Sequence, residues 1–205
     1  MYNFEEGRLV KELAKLHSRE KVAFATAAAA RQMSNYERYV RENDPSENIP
    51  FHKISEDLWF ALRTGSTDSA VWASTLAEIM GLLPEERDRS SIWDALAENA
   101  LTSLAYAVRC LLKPVAEEAA WAARHSYEAA DQATIHAIRM SRTLPLTEGN
   151  ISAHLFVQRE LARQQRDLAL LLGKPDNDPL SKVQEYASIE KLLTETEMDS
   201  FHVRL

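Results

Sequence analysis

Two histidines and a glutamate on one face of a predicted helix are the residues best suited to bind a metal. His125, Glu128, Gln132 and His136 follow one another at steps of three, four and four residues, so their side chains line one side of a helix. Neutral imidazole and carboxylate are ligands for zinc or iron, but a site needs three or four of them converging. Two alternatives stay open: a metal site at His125, Glu128 and His136, or a polar outer face.

A second group of polar residues lies where one predicted helix ends and the next begins. Arg31, Asn35 and Tyr36 occupy this corner, and His52 and Trp59 follow in the next segment. Such side chains beside the first amides of a helix can bind a carboxylate or phosphate, and these five residues are our predicted ligand site. They can equally hydrogen-bond the backbone and hold the two helices at a fixed angle.

Signatures of the common catalytic sites are missing from the sequence. There is no G-x-S-x-G nucleophile elbow, H-E-x-x-H helix, P-loop or dinucleotide fingerprint. We therefore assign no catalytic residue, predict no cofactor, and expect the protein not to be an enzyme.

Arginines and carboxylates alternate along a late helix. Arg159, Arg163 and Arg166 share one edge, and Glu160 and Asp167 directly follow the first and the last of them. We interpret this pattern as a solvent-exposed face stabilised by short-range ion pairs, because an uninterrupted basic patch would be needed to bind phosphates.

Helical patterns cover nearly the whole chain. Six of the ten residues from Lys21 to Ala30 are alanine, which has the highest helix propensity. Ser34 and Glu37 have the spacing of a capping box, which predicts a helix start at Ser34. Predicted helices span residues 4–16, 19–33, 35–43, 55–64, 68–80, 91–112, 114–142, 152–172 and 179–198, with breaks near Pro45, Pro84, Pro114, Pro145 and Pro175.

The two longest predicted helices meet at Pro114, where a helical hairpin is expected. Small and aliphatic residues repeat at helical spacing on both sides of the proline. These positions are Leu96, Ala100, Ser103 or Leu104, Ala107 and Leu111 before the proline, and Val115, Ala119, Ala122, Ser126, Ala130, Ala133 and Ala137 after it. Small side chains let two helices approach closely, so we predict that these positions form the contact.

Composition indicates an ordinary globular protein of 205 residues with a net charge of −7. An acidic chain disfavours nucleic acid as a partner. Neither a signal peptide nor a run of about 20 apolar residues is present, so no membrane partner is expected. The lone Cys110 excludes an intrachain disulfide and fits a reducing compartment, which predicts a cytoplasmic location.

Several stretches together resemble the YjaG-like family of uncharacterised bacterial proteins. The resemblance rests on Arg31 with Asn35-Tyr36, on Leu58-Trp59, and on residues 93–101 and 157–172. It implies a compact helical fold in a bacterial protein and carries over no catalytic residue. Together with the helical pattern, we expect an all-α, single-domain bundle of about eight or nine helices over residues 1–205.

A protein-interaction function, with self-association included, is the prediction that these observations favour. Four tryptophans and six tyrosines provide aromatic anchors of the kind that dominate interfaces. We expect Trp72 and Trp121 to be exposed, because both flank alanine-rich faces. The alternative is a metal-binding or small-ligand-binding protein, or an enzyme, that uses His125, Glu128 and His136 or the corner of Arg31, Asn35 and Tyr36.

Overall fold

The computed structural model describes residues 1–43, 48–83, 91–142, 144–173 and 178–202, and every regular element among them is helical. The helices are α1 Glu6–Leu13, α2 Ser18–Ala30, α3 Met33–Asn43, α4 Phe51–Thr64, α5 Ser69–Gly81, α6 Ile92–Leu112, α7 Ala116–Ser141, α8 Glu148–Ser152, α9 Leu155–Leu171, α10 Pro179–Ile189 and α11 Glu195–Asp199, followed by a 3-10 turn at Ser200–His202. The predicted all-α fold is confirmed. The predicted breaks at Pro45, Pro84 and Pro175 lie outside the described residues.

Helices α6 and α7 form the predicted hairpin. Lys113 ends α6 with an extended backbone, and α7 starts after Pro114. The Ser103 hydroxyl donates to the Ala122 carbonyl at 2.9 Å, and an ion pair joins Arg109 to Glu118 nearer the turn. Since partner numbers rise on one helix as they fall on the other, the helices run antiparallel.

Most of the predicted hairpin positions are buried, whereas Leu111, Val115 and Ala137 are half-buried. Ala100, Ala107, Ala122 and Ala130 each have 0% of their surface exposed. Alanine leaves little side chain between the helix axes, so the hairpin packs tightly along its length.

Helix α2 lies in the middle of the protein. All eight residues from Val22 to Ala29 are buried, and α2 contacts α4, α6, α7, α9 and α10. A helix that is apolar on every side has no face suited to water. Its alanines let several neighbours approach it, so the end of α2 lies inside the protein rather than at its surface.

Two predicted boundaries in the second half of the chain are wrong. The predicted helix 179–198 is interrupted after Ile189, because Thr194 starts a new helix with a capping box in which its amide donates to Glu197 at 2.8 Å. The predicted helix 152–172 starts at Leu155, where His154 caps it, and the separate short helix α8 precedes it.

The start of α3 is also misplaced by the sequence prediction. Helix α2 ends at Ala30 and α3 begins at Met33, so only Arg31 and Gln32 separate them. Ser34 does not cap a helix: it is buried, and its hydroxyl donates to the Leu193 carbonyl at 3.2 Å. The change of direction therefore falls on Arg31 itself.

The described helices include none that combines the length and the apolar character needed to cross a bilayer.

Candidate functional site: a buried ion network at the α2–α3 corner

Arg31, at the end of α2, is the centre of a buried ion network. Only 1% of its side chain is exposed, and Glu160 and Asp167 from α9 are buried equally well. The guanidinium donates from Nε and Nη2 to the two Glu160 oxygens, each at 3.1 Å, and from Nη1 to Asp167 Oδ2 at 2.6 Å. This forked geometry is the strongest arrangement available to an arginine and a carboxylate.

The two carboxylates have further donors. Glu160 Oε1 also accepts from the Ser126 hydroxyl and from the Gln164 amide, each at 2.9 Å. Asp167 Oδ1 accepts from the neighbouring Arg166 at 2.8 and 3.2 Å. Because Ser126 lies on α7, the network joins α2, α7 and α9. We call Arg31, Ser126, Glu160, Gln164 and Asp167 the corner network.

Ion pairs connect the corner network to the segment that follows α10. Arg166 binds Glu190 through two hydrogen bonds of 2.5 and 2.8 Å, and Arg163 Nε lies 3.5 Å from the same carboxylate. The Leu192 amide donates to the Arg31 carbonyl at 2.7 Å. The Arg31 side chain therefore binds α9, and the Arg31 carbonyl binds the segment that follows α10.

Electrostatics favour the charged forms of Arg31 and Glu190. Burial alone would lower the pKa of Arg31, but the charges and hydrogen bonds of Glu160 and Asp167 raise it above its ordinary value. Burial would likewise raise the pKa of Glu190, but hydrogen bonding to Arg166 and its charge lower it. The positive charges of Arg31, Arg163 and Arg166 equal in number the negative charges of Glu160, Asp167 and Glu190. The network therefore joins its helices without a net charge.

Asn35 and Tyr36 lie near Arg31 but do not bind its guanidinium. The Tyr36 hydroxyl accepts from the Ile49 amide at 3.0 Å. Asn35 and Gln32 are completely buried, and neither side-chain amide has a hydrogen-bond partner among the described residues. A buried amide without a hydrogen-bond partner lowers the free energy of unfolding. Gln32 and Asn35 therefore destabilise a corner whose charged groups are well paired.

The other two residues of the predicted ligand site lie elsewhere. His52 is exposed and pairs with Glu56 across 3.3 Å on α4. Trp59 is buried on α4, where it forms part of the base of a cleft beside Arg63. The structure therefore brings Arg31, Asn35 and Tyr36 to one corner and separates His52 and Trp59 from the guanidinium.

The predicted metal ligands are only partly brought together. His125 Nδ1 lies 3.0 Å from Asn99 Oδ1 and 3.2 Å from Glu128 Oε2. His136 is three helical turns away, about 16 Å along the axis, and its ring packs against Phe201. No group of three or more histidine, cysteine or acidic side chains within the described ranges is arranged to hold a metal ion.

We predicted that the arginine-rich part of α9 is exposed to solvent, and this prediction is wrong for Glu160 and Asp167. Glu160 has 0% and Asp167 1% of its side chain exposed. The reason is that both face Arg31, whose burial the sequence prediction did not include. A signal was present: Glu160, Gln164 and Asp167 are spaced by four and three residues, so three polar side chains share one helix face.

Comparisons with known proteins give a family and a fold. The sequence profile described as "Protein of unknown function (DUF416)" matches residues 8–192. A crystal structure of a DUF416 family protein from Shewanella baltica OS155 has a TM-score of 0.70 with 16% sequence identity, over 91% of this chain and 94% of that chain. At this identity the similarity shows the fold alone. A search of curated protein sequences found no match.

Proposed function

The chain belongs to the DUF416 family of proteins of unknown function, and from that premise we propose that it is a non-enzymatic helical protein that self-associates through the outer face of α5. We further propose that it acts in the bacterial cytoplasm, which its single buried cysteine, Cys110, supports. The narrower YjaG-like grouping stays a prediction.

The observation that carries this proposal is the apolar surface of α5. Only Glu78 is charged among its thirteen residues. Trp72 and Ile79 are buried, whereas Val71 is 58% and Met80 49% exposed. A surface helix normally carries charged and polar side chains on its outer side. Helix α5 instead exposes Val71 and Met80 on its two flanks and alanines between them, with Glu78 as its one charged residue, as helices at protein contacts do.

A second copy of the chain suits this face because the face matches itself. Ala73, Ala77 and Gly81 are exposed and spaced by four residues, so they lie in one row. Two such rows let helix axes approach closely, and a twofold axis places the same patch on both partners. A helix of this length is about 20 Å long. It offers less than the roughly 800 Å² per partner of a standard interface, so we expect a weak dimer.

The aromatic anchors predicted from the sequence do not supply the contact. Trp72 is 8% exposed, so its predicted exposure is wrong. Trp121 is half-buried and donates its indole N–H to Glu6 at 3.3 Å. The proposed surface therefore rests on aliphatic side chains and not on tryptophan.

Sedimentation velocity over two orders of magnitude in protein concentration tests self-association. We expect the sedimentation coefficient to rise with concentration, and Ala77→Lys to abolish the rise because it places a long charged side chain in the row that meets the second copy. Ile189→Lys is the matched control, since Ile189 is 69% exposed on a different helix. A concentration-independent monomer, or equal effects of the two substitutions at unchanged thermal stability, would refute the proposal.

The alternative function is metal or small-ligand binding at the residues predicted from the sequence. Its structural support is the contact of His125 with Glu128. Metal analysis of untagged protein purified without chelators tests it. Stoichiometric zinc or iron, lost in His125→Ala, would favour this alternative over self-association alone.

A further inference from the structure

A cleft with a cavity volume of about 640 Å³ lies between the start of α2, the end of α4 and the start of α10. Its size is within the range of small-molecule sites. The buried side chains of Trp59 and Leu62 line it, and Arg19 and Arg63 line it together with Gln184. An apolar part and a cationic part therefore share one cavity.

The two arginines of the cleft are bound to neutral oxygen atoms. Arg19 Nη2 donates to the Leu62 carbonyl, and Arg63 Nη1 donates to Gln184 Oε1 at 2.8 Å. Neither forms an ion pair with a carboxylate among the described residues. By contrast, the ion pairs of the described chain engage Arg31, Arg38, Arg41, Arg109, Arg124, Arg159, Arg163 and Arg166. Arg8, Arg139 and Arg142 likewise form no ion pair among the described residues, so what sets Arg19 and Arg63 apart is that both line one cavity.

The carboxylates that line the cleft are directed to backbone amides. Glu20 Oε2 accepts from the His17 amide at 2.6 Å, and Asp178 Oδ1 accepts from the Ser181 amide at 3.3 Å. Each carboxylate thus caps the helix on which it lies, α2 or α10. Hydrogen bonding to Ser181, helped by the Arg19 charge, lowers the pKa of Asp178. Neither Glu20 nor Asp178, however, forms an ion pair with Arg19 or Arg63 among the described residues, so both guanidinium groups can contact another anion.

We infer that this cleft binds a small organic anion whose oxyanion head contacts Arg19 and Arg63 and whose apolar part packs on Trp59 and Leu62. Guanidinium groups match the planar geometry of carboxylate and phosphate oxygens, and two of them fix the orientation of the head. The apolar base favours a ligand with a ring or a short hydrocarbon group. This site is separate from the α5 surface and from the corner network.

Phenyl phosphate is a suitable probe because it has both parts, and protein-detected NMR reports binding at the Trp59 indole. The Trp59 signal is assigned from its loss in Trp59→Phe. We expect a saturable shift of this signal, with affinity reduced about tenfold in Arg19→Gln and in Arg63→Gln, as the loss of one charge-assisted contact predicts. Arg139→Gln, which changes an exposed arginine on α7, should bind as the unmodified protein does.

Two further probes separate the parts of the ligand. Inorganic phosphate should bind more weakly than phenyl phosphate, and benzyl alcohol should bind more weakly still. The inference is overturned if phenyl phosphate gives no saturable shift, if benzyl alcohol binds as tightly, or if Arg139→Gln and Arg19→Gln lose affinity equally. Circular dichroism spectra identical to that of the unmodified protein ensure that the variants are folded.

Discussion

Replacing Arg31 by methionine should be among the most damaging single changes in this protein. Methionine fills much of the same volume but leaves Glu160 and Asp167 buried without their cation. Three hydrogen bonds are lost, all between charged groups with at most 1% exposure. Removing one partner of a buried ion pair costs about 3–5 kcal/mol, because the remaining charges stay out of water.

That loss is large compared with the whole stability of a domain, which is about 5–15 kcal/mol. Urea unfolding followed by circular dichroism measures it directly. With a denaturant dependence of roughly 2–3 kcal/mol per molar, the midpoint should fall by about 1–2.5 M. Arg124→Met is the matched control: its ion pair with Glu128 is half-exposed, and such surface pairs contribute about 0–1 kcal/mol.

A triple variant tests whether the lost charge balance is the cause. Arg31→Met combined with Glu160→Met and Asp167→Leu removes all three buried charges at once. We expect it to recover most of the lost stability, because apolar replacement of a complete buried ion cluster is often neutral or stabilising. The reasoning is refuted if Arg31→Met costs no more than Arg124→Met, or if the triple variant is as unstable as the single one.

Four further outcomes are expected. Ala130→Leu should lower the free energy of unfolding by about 1–3 kcal/mol through overpacking of the hairpin, whereas Ala169→Leu at an exposed position should change it little; equal effects would contradict the packing argument. Asn35→Leu should raise stability by about 1–2 kcal/mol in urea unfolding, since it removes an unpaired buried amide, and a loss would show that the amide has a partner. The pKa of Glu190 is lower in the folded protein than its ordinary value of 4.5, so its ionised form stabilises the fold above that pH, and this stability is lost as the pH falls through the lower folded pKa. The urea midpoint of Glu190→Gln should therefore change less between neutral pH and about pH 4 than that of the unmodified protein. Burial raises the pKa of Cys110 to about 12, so Ellman's reagent should react only after unfolding, and rapid reaction of the folded protein would show that the thiol is accessible.

Local sequence signals predicted most of the helices. Alanine content marked α2, and the small-residue positions around Pro114 marked the hairpin of α6 and α7. These elements depend on propensity and on spacing within one segment. The capping box predicted at Ser34 does not form, because the Ser34 hydroxyl donates instead to the Leu193 carbonyl, 159 residues away. The sequence also contains a capping box at Thr194 and Glu197, which the prediction of one helix over residues 179–198 did not include.

The corner network was only half predictable. Arg31 was identified from its place between two helices, but its partners lie 129 and 136 residues further along the chain. Spacing within a helix shows which side chains share a face, and it does not show which other helix that face meets. The burial of Glu160 and Asp167 therefore depended on how α9 packs against α2, which no local pattern records.

The distance in sequence between Arg31 and Asp167 also sets an order of events during synthesis. At about 5–20 residues per second, the ribosome adds the 136 residues that separate them in roughly 7–27 s. Throughout that interval the end of α2 has a cation without its carboxylates, so it gains nothing from entering an apolar core. The nascent chain should therefore keep this end of α2 in water, available to chaperones, until α9 has been made.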